Sequence, residues 1–273
     1  MEKKELQSIA NEVRKSIIVG THAAKSGHPG GSLSCADMLT YLYFEEMNVD
    51  PKNPDDPNRD RFVLSKGHSA PALYGVLAER GFIPKEDLDS LRKPDSYLQG
   101  HPDMKNTPGV DMSAGSLGQG FSTAVGMALA AKMDGKDYRT YAVLGDGEIQ
   151  EGQIWEAAMF AGHRKLDNLV AIIDNNNLQI DGTVEEVCSP YPIDQKFEAF
   201  NFNVIDINGH DFDEISAALD DAKSVKGKPT AIIMKTVKGK GVSYMEDQAG
   251  WHGKAPDDDL CKQALEELEG GEA

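Results

Sequence analysis

The sequence is poor in the features that would announce a small stapled domain, a nucleic-acid binder or a membrane protein. It has only three cysteines, Cys35, Cys188 and Cys261, far apart and without a CxxC spacing. That pattern excludes a disulfide scaffold and a cysteine zinc site, and fits a reducing compartment with each thiol as a small apolar filler. There is no basic arm or lysine-rich face: 28 Lys and Arg stand against 45 Asp and Glu, a formal charge of −17. Such a chain offers nothing to hold a polyphosphate backbone, so no nucleic acid is expected as a partner. No apolar stretch comes near the roughly 18 residues of a membrane span, and the N-terminal MEKKELQSIANEVRKSI reads as a charged helix rather than a signal peptide. No membrane partner and a cytoplasmic location are the expectation. There is no internal repeat and no low-complexity tract, and the only linker-like stretches are NVDPKNPDDPNRD (48–60) and the terminal EGGEA.

What is present is an alternation. Five short, largely β-branched runs read as buried strands: FVLS from Phe62, YAVLG from Tyr141, LVAIID from Leu169, NVIDI from Asn203 and TAIIMKTV from Thr230. Helical spacing separates them, as in IWEAAMFAGHRKL after Gln153 and in DEISAALDDAKSV, where Ile215, Ala218, Leu219 and Ala222 share one face. The expected fold class is α/β: a mostly parallel sheet with helices on both faces, one domain over residues 1–273, with ligands at the carboxyl ends of the strands. The loop-rich part from Gly81 to Gly120 is long enough to be functional.

Two turns carry the chemistry. GDGEIQEG (145–152) follows the second strand and IIDNNNLQIDG (172–182) ends the third, so Asp146 and Asn176 lie about 30 positions apart, the length of one strand-helix-strand crossover. Right-handed crossovers bring both to the same sheet edge. A calcium EF-hand loop would need alternating oxygen ligands that GDGEIQEGQIWE lacks, and neither these glycines nor GSLGQG have the GxGxxG order of a dinucleotide fingerprint. Magnesium suits the set better, because it takes one or two carboxylates together with phosphate oxygens and water. Gly145 and Gly147 would let an anion approach the backbone, and a helix starting near Ile149 would aim its amide groups at it. The plain alternative is that Gly-Asp-Gly only turns the chain and that Glu148 and Glu151 only favour a first helical turn.

GDG after one strand and an NN-containing turn after the next resemble the thiamin diphosphate motif. The chain resembles the N-terminal, diphosphate-binding domain of transketolase from about residue 5 to 256. The blocks that carry the likeness run in family order: SGHPGGSLS (26–34), RDRFVLSKGHSAPALY (59–74), GHPD (100–103), SAGSLGQG (113–120), GDGEIQEGQIWEA (145–157), DNNNLQIDG (174–182) and KGKGVSYMED with WHGKAP (238–256). The resemblance implies thiamin diphosphate and Mg²⁺ as cofactors, with Ca²⁺ as an alternative occupant. It implies that Asp146, Asn176 and the carbonyl of Leu178 coordinate the metal and that Gly147 offers an N–H to the diphosphate. By the same likeness His68 and His252 contact its phosphates, Gly115 and Leu117 touch the aminopyrimidine or its approach, and Ile180 packs on the thiazolium. His28 and His101 would line the substrate channel, and Glu151 would join an acidic network between two cofactors. His22, His163 and His210 match no active-site block and read as surface residues, and Lys238 and Lys240 read equally as an exposed turn or as a loop near the phosphates.

The glutamate that activates the cofactor belongs, in the family, to the next domain, and the sequence stops where that domain would begin. The expectation is therefore the N-terminal subunit of a split transketolase, paired as a heterotetramer with a C-terminal subunit that carries the pyrimidine-binding domain. It would move a two-carbon ketol unit between sugar phosphates, such as xylulose 5-phosphate and ribose 5-phosphate. The alternatives are a transketolase-like chain for an unusual sugar phosphate, a 1-deoxyxylulose 5-phosphate synthase or oxo-acid dehydrogenase type, or a non-catalytic binding subunit.

Overall fold

The computed structural model describes residues 1–270. Each apolar run forms a strand: β1 (Arg61–Leu64), β2 (Thr140–Gly145), β3 (Leu169–Asn175), β6 (Asn203–Asn208) and β7 (Thr230–Lys235) make one parallel sheet in the order β1-β2-β3-β7-β6. A separate two-residue hairpin, β4 (Leu178–Gln179) with β5 (Gly182–Thr183), follows β3.

Ten α-helices accompany these strands among the described residues. α1 (Lys3–Ala24), α2 (Pro29–Ser34) and α3 (Ala36–Tyr41) precede β1, and α4 (Ala70–Arg80) and α5 (Gln119–Met133) lie between β1 and β2. α6 (Gly152–His163) crosses from β2 to β3, α7 (Val184–Cys188) and α8 (Ile193–Ala199) lead to β6, α9 (Phe212–Ser224) crosses to β7, and α10 (Asp258–Gly270) closes the described chain. Of the expected terminal EGGEA linker, Glu269 and Gly270 end α10, and residues 271–273 lie outside the described residues.

Side chains alternate across the pleat and divide the core in two. Phe62, Leu64, Tyr141, Val143, Val170, Ile172, Ile232 and Met234 point into a cluster with α1, α3, α4, α9 and α10. Val63, Ala142, Leu144, Ala171, Ile173 and Ile233 point the other way, into a cluster with α5, α6 and α8. α1 follows from its spacing: Leu6, Ala10, Val13, Ile17 and Ile18 form one buried stripe, and Lys25 ends the helix in the left-handed conformation. α9 buries the expected Ile215, Ala218, Leu219 and Ala222, and the Asp211 side chain caps its start by accepting from the Asp213 N–H.

Two expectations need correction. β6 is not buried: it is the sheet edge, and Ile207 is its one buried residue, because an apolar run says nothing about which strands flank it. The 48–60 stretch is not a linker. Asp60 accepts from the N–H groups of Asn48 (2.8 Å) and Arg139 (2.7 Å), and Arg59 pairs with Asp111 at 2.5 Å, which pins the segment to the sheet.

Candidate active site

The parallel strands deliver their carboxyl ends to one edge, and each turn leaving that edge carries polar side chains. β1 leads to Lys66 and His68, β2 to Asp146, β3 to Asn176 and β7 to Lys238, while His28 stands at the N-terminus of α2. Between them lies a cleft of about 320 Å³. It is lined by every site residue expected from the sequence except His101, which sits beside Gly115, with ring atoms 3.6–3.7 Å from where a Cβ on that glycine would be. The helix dipole expected from Ile149 is displaced: residues Glu148–Gln150 form a 3₁₀ turn and α6 starts at Gly152.

Asp146 is 2% exposed, and its carboxylate accepts from the N–H groups of Gly147 (2.8 Å) and Asn177 (2.5 Å). It has no ion-pair partner among the described residues. Burial, and then the charge of Asp174, pushes it up to about 7, so a cation placed beside it would favour the charged carboxylate. The Asn177 contact brings the turn after β3 against that carboxylate, and Asn177 adopts φ 62 to make the turn. Asn176 is oriented by its neighbours: its Nδ2 donates to Asp174 at 3.1 Å and its Oδ1 accepts from the Leu178 N–H at 3.2 Å. Asp146, Asn176 Oδ1 and the Leu178 carbonyl are hard oxygen donors of the kind Mg²⁺ or Ca²⁺ takes, and a divalent cation would compensate the buried carboxylate. The donor set therefore fits a metal. The Leu178 carbonyl already accepts from Lys238 Nζ at 3.1 Å, so a cation there would displace that ammonium.

The Gly147 N–H faces Asp146, not the open cleft. At 147 a side chain is opposed by close approach rather than by conformation: φ is an ordinary −68°, but a Cβ there would stand 3.3 Å from the Gln179 side chain, which would have to shift by a few tenths of an ångström. Gly118 does need its left-handed φ of 86° to begin α5 beside the cleft.

His28, His68 and His252 form a cluster with ring centroids 5.1–5.4 Å apart. Burial, helped by nearby cations, keeps all three neutral: His28 is lowered to about 4 and His252 to about 3, and His68 is held well below the usual imidazole range. Ile180 is 69% exposed on the hairpin, and Glu151 is exposed at the start of α6.

Several residues escape a reading of the sequence. Lys238 is no exposed turn: it is buried in the cleft wall with Nζ 3.1 Å from His252 Nδ1, and burial, then Lys66, lowers it to about 8. Lys66 is buried against Asp174. Glu148 does more than start a helix: it is sealed under the cleft and accepts from Ser65 Oγ (2.5 Å) and the N–H groups of Gly118 (2.9 Å) and Gly145 (3.0 Å). His210 is not a surface residue either. Its Nδ1 lies 2.7 Å from Asp37 and its Nε2 accepts from the Val237 N–H at 2.9 Å, tying the turn after β7 to α3. His163 is exposed as expected, and His22 bonds Asp258 at 2.9 Å.

Comparison with known proteins identifies the family. The family described as transketolase, thiamine diphosphate binding domain, matches residues 6–270. The chain is 49% identical to a 6-deoxy-6-sulfo-D-fructose transketolase subunit from a Clostridium species, over 97% of this chain and 96% of that one. It is 47% identical to an apulose-4-phosphate transketolase subunit from Phocaeicola vulgatus, over 98% of this chain and 94% of that one. The crystal structure of transketolase from Campylobacter jejuni superposes with a TM-score of 0.92 at 38% identity, covering 98% of this chain but 43% of that one. The chain thus spans nearly all of its subunit relatives and less than half of the solved transketolase. With this fold, and with the paired turns of Asp146 and Asn176 at its sheet edge, the chain belongs to the transketolase family, as its thiamine diphosphate-binding domain.

Proposed function

We propose that this chain is the subunit of a two-chain transketolase that holds the diphosphate end of thiamin diphosphate through Mg²⁺, and that a second chain supplies the pyrimidine-binding half. The observation that carries this reading is the buried Asp146, without an ion-pair partner among the described residues, in one cleft with Asn176, Leu178, Lys238 and three neutral histidines. Asp146 and Asn176 Oδ1 would hold the metal with the Leu178 carbonyl. Lys238, displaced from that carbonyl, would turn to a phosphate oxygen together with His68 and His252. Gly147 would lend its N–H once Asp146 is committed to the metal. When bound, the cofactor supplies a nucleophilic carbon that adds to a ketose carbonyl and an electron sink for cleavage of the neighbouring C–C bond.

The chain's own part in the transfer falls to His28 and His101, whose neutral rings would donate to or accept from sugar hydroxyls in the channel. Gly115 and Leu117 would border the pyrimidine approach, and exposed Ile180 would be covered by the cofactor's thiazolium. Glu151 would face the partner subunit in a heterotetramer. The product is a two-carbon ketol unit moved from a ketose phosphate, such as xylulose 5-phosphate, to an aldose phosphate. A second reading, an unusual anionic ketose as donor, is favoured by the names of the two subunit relatives, one for a sulfofructose and one for apulose 4-phosphate.

Co-expression with the product of a neighbouring gene, followed by a ketol-transfer assay with these three donors, Mg²⁺ and thiamin diphosphate, tests the reading. Transfer by the complex and none by this chain alone is expected. A folded complex that binds cofactor but transfers no ketol unit from any of them contradicts it.

A further inference from the structure

We infer that Arg92 is a positioning residue that fixes the tautomer of His28, holding Nδ1 as an acceptor so that Nε2, the nitrogen away from Arg92, carries the proton. The inference rests on the ketol-transfer reading of the cleft only in what it says the proton is for.

Arg92 lies in the long loop between α4 and α5, close after the 3₁₀ turn Lys85–Ser90. Its backbone adopts φ 59, unusual for a residue with a side chain, and its N–H donates to the Leu98 carbonyl at 2.8 Å. That turn aims the guanidinium back at two other segments. Nη1 donates to Ser26 Oγ at 2.9 Å, and Nη2 lies 3.4 Å from His28 Nδ1 and 3.5 Å from the Gly100 carbonyl. One planar group therefore joins the turn that carries His28 to the turn that carries His101. Gly100 is the seat: a Cβ there would stand 2.8–3.0 Å from the guanidinium. Arg92 Nε is buried without a partner, so the side chain holds this place at the expense of one unsatisfied donor. The strained φ and the unpartnered Nε are both costs that the fold bears to hold the guanidinium in this place.

The chemical consequence follows from donor arithmetic. Arginine has five N–H donors and no lone pair to offer, so the ring nitrogen that faces it must itself be unprotonated. A neutral imidazole with bare Nδ1 carries its proton on Nε2. Nε2 has no hydrogen-bond partner among the described residues and lies on the ring edge toward Gly253, 3.6 Å from where a Cβ on that glycine would be. The groups acting on His28 are Arg92, His101 and Lys238, with the His68 and His252 rings against it. Cations and neutral imidazoles surround it, and no carboxylate is among them, so nothing draws a second proton onto the ring. His28 is thus prepared as a donor, suited to a substrate oxygen on which negative charge grows.

The full chain, labelled with ¹⁵N in its imidazoles, reports the tautomer through two-bond nitrogen–proton couplings, with His28→Gln assigning the signal. The expected result is a single neutral Nε2–H form from about pH 6 to 8. Arg92→Met should give mixed tautomers and raise the pH at which His28 protonates. Gly100→Ala, which keeps the arginine but displaces its guanidinium, should do the same, and Arg92→Lys should largely restore the single form. In the two-chain complex, Arg92→Met should lower kcat about tenfold or more while leaving thiamin diphosphate affinity unchanged. An Nδ1–H form in the wild-type protein, or the same spectrum in Arg92→Met and Gly100→Ala, overturns the inference. Because the spectrum is read without turnover, absence of ketol transfer counts against the proposed function and not against this assignment.

Discussion

Lys66 Nζ lies 2.5 Å from Asp174 Oδ2 beneath the cleft, the lysine on the turn after β1 and the aspartate on β3, both sealed from solvent. The pair is more than a contact between two strands. Asp174 also accepts from Ser34 Oγ (2.6 Å), Thr236 Oγ1 and Asn176 Nδ2, and Lys66 also donates to the Gly31 carbonyl at 2.5 Å. Burial alone would raise the Asp174 carboxyl and depress the Lys66 ammonium; each reverses the shift of the other, so both stay charged. Four segments are thereby fixed by one ion pair.

Removing one partner leaves the other charged and buried, which is the costly case. Lys66→Met should lower stability by about 3–5 kcal/mol, read as a fall in the denaturation midpoint, and Lys66→Met with Asp174→Leu should recover part of it. A loss under about 1 kcal/mol, the range of exposed pairs, would mean that the pair is hydrated in solution.

Glu148 makes a second prediction. One carboxylate oxygen serves Ser65 Oγ and the Gly118 N–H, and the other serves the Gly145 N–H. Glutamine must set its NH₂ against one of these donor groups, so Glu148→Gln should cost about 1–3 kcal/mol and loosen the 113–118 loop. Hydrogen exchange at the Gly118 and Gly145 amides should quicken, whereas unchanged exchange would refute the hub role.

The histidine cluster sets a pH dependence. His252 is lowered to about 3 by burial and by Lys238, from an ordinary value near 6.5. Between these values the unfolded chain binds a proton that the folded chain refuses, so stability falls as pH drops below about 6.5. Asp146, raised to about 7, acts with the opposite sign: in the metal-free protein it removes stability as pH rises from about 4 towards 7. The test is therefore a comparison of slopes. His252→Gln should flatten the rise of the urea midpoint between about pH 5 and 6.5, and a slope equal to wild type would contradict the buried neutral imidazole.

Much of this is legible in the sequence, and the failures share a cause. The β-branched runs mark the strands, and the crossover length between Asp146 and Asn176 marks their convergence, because both are local or topological facts. Glu148 misleads because an acidic residue after a strand ordinarily starts a helix, and its burial comes from Ser65 and Gly118, distant in the chain. Spacing misses Lys66 and His210 and leaves Lys238 undecided for the same reason. Their partners Asp174, Asp37 and Leu178 lie on other elements, and no local pattern announces a tertiary pairing. The edge position of β6 follows from strand order, which apolar content does not encode.

The central claim is that Asp146 and Asn176 hold a metal that in turn holds the diphosphate. Calorimetric titration of thiamin diphosphate into the assembled protein tests it most directly, with Mg²⁺ and after chelation, for wild type, Asp146→Ala and Asn176→Ala. Binding by the wild type that weakens at least about a hundredfold on chelation, and equally weak binding by both variants with or without Mg²⁺, is the predicted result; a hundredfold corresponds to about 2.7 kcal/mol. Binding by Asp146→Ala with wild-type affinity and undiminished Mg²⁺ dependence would contradict the account.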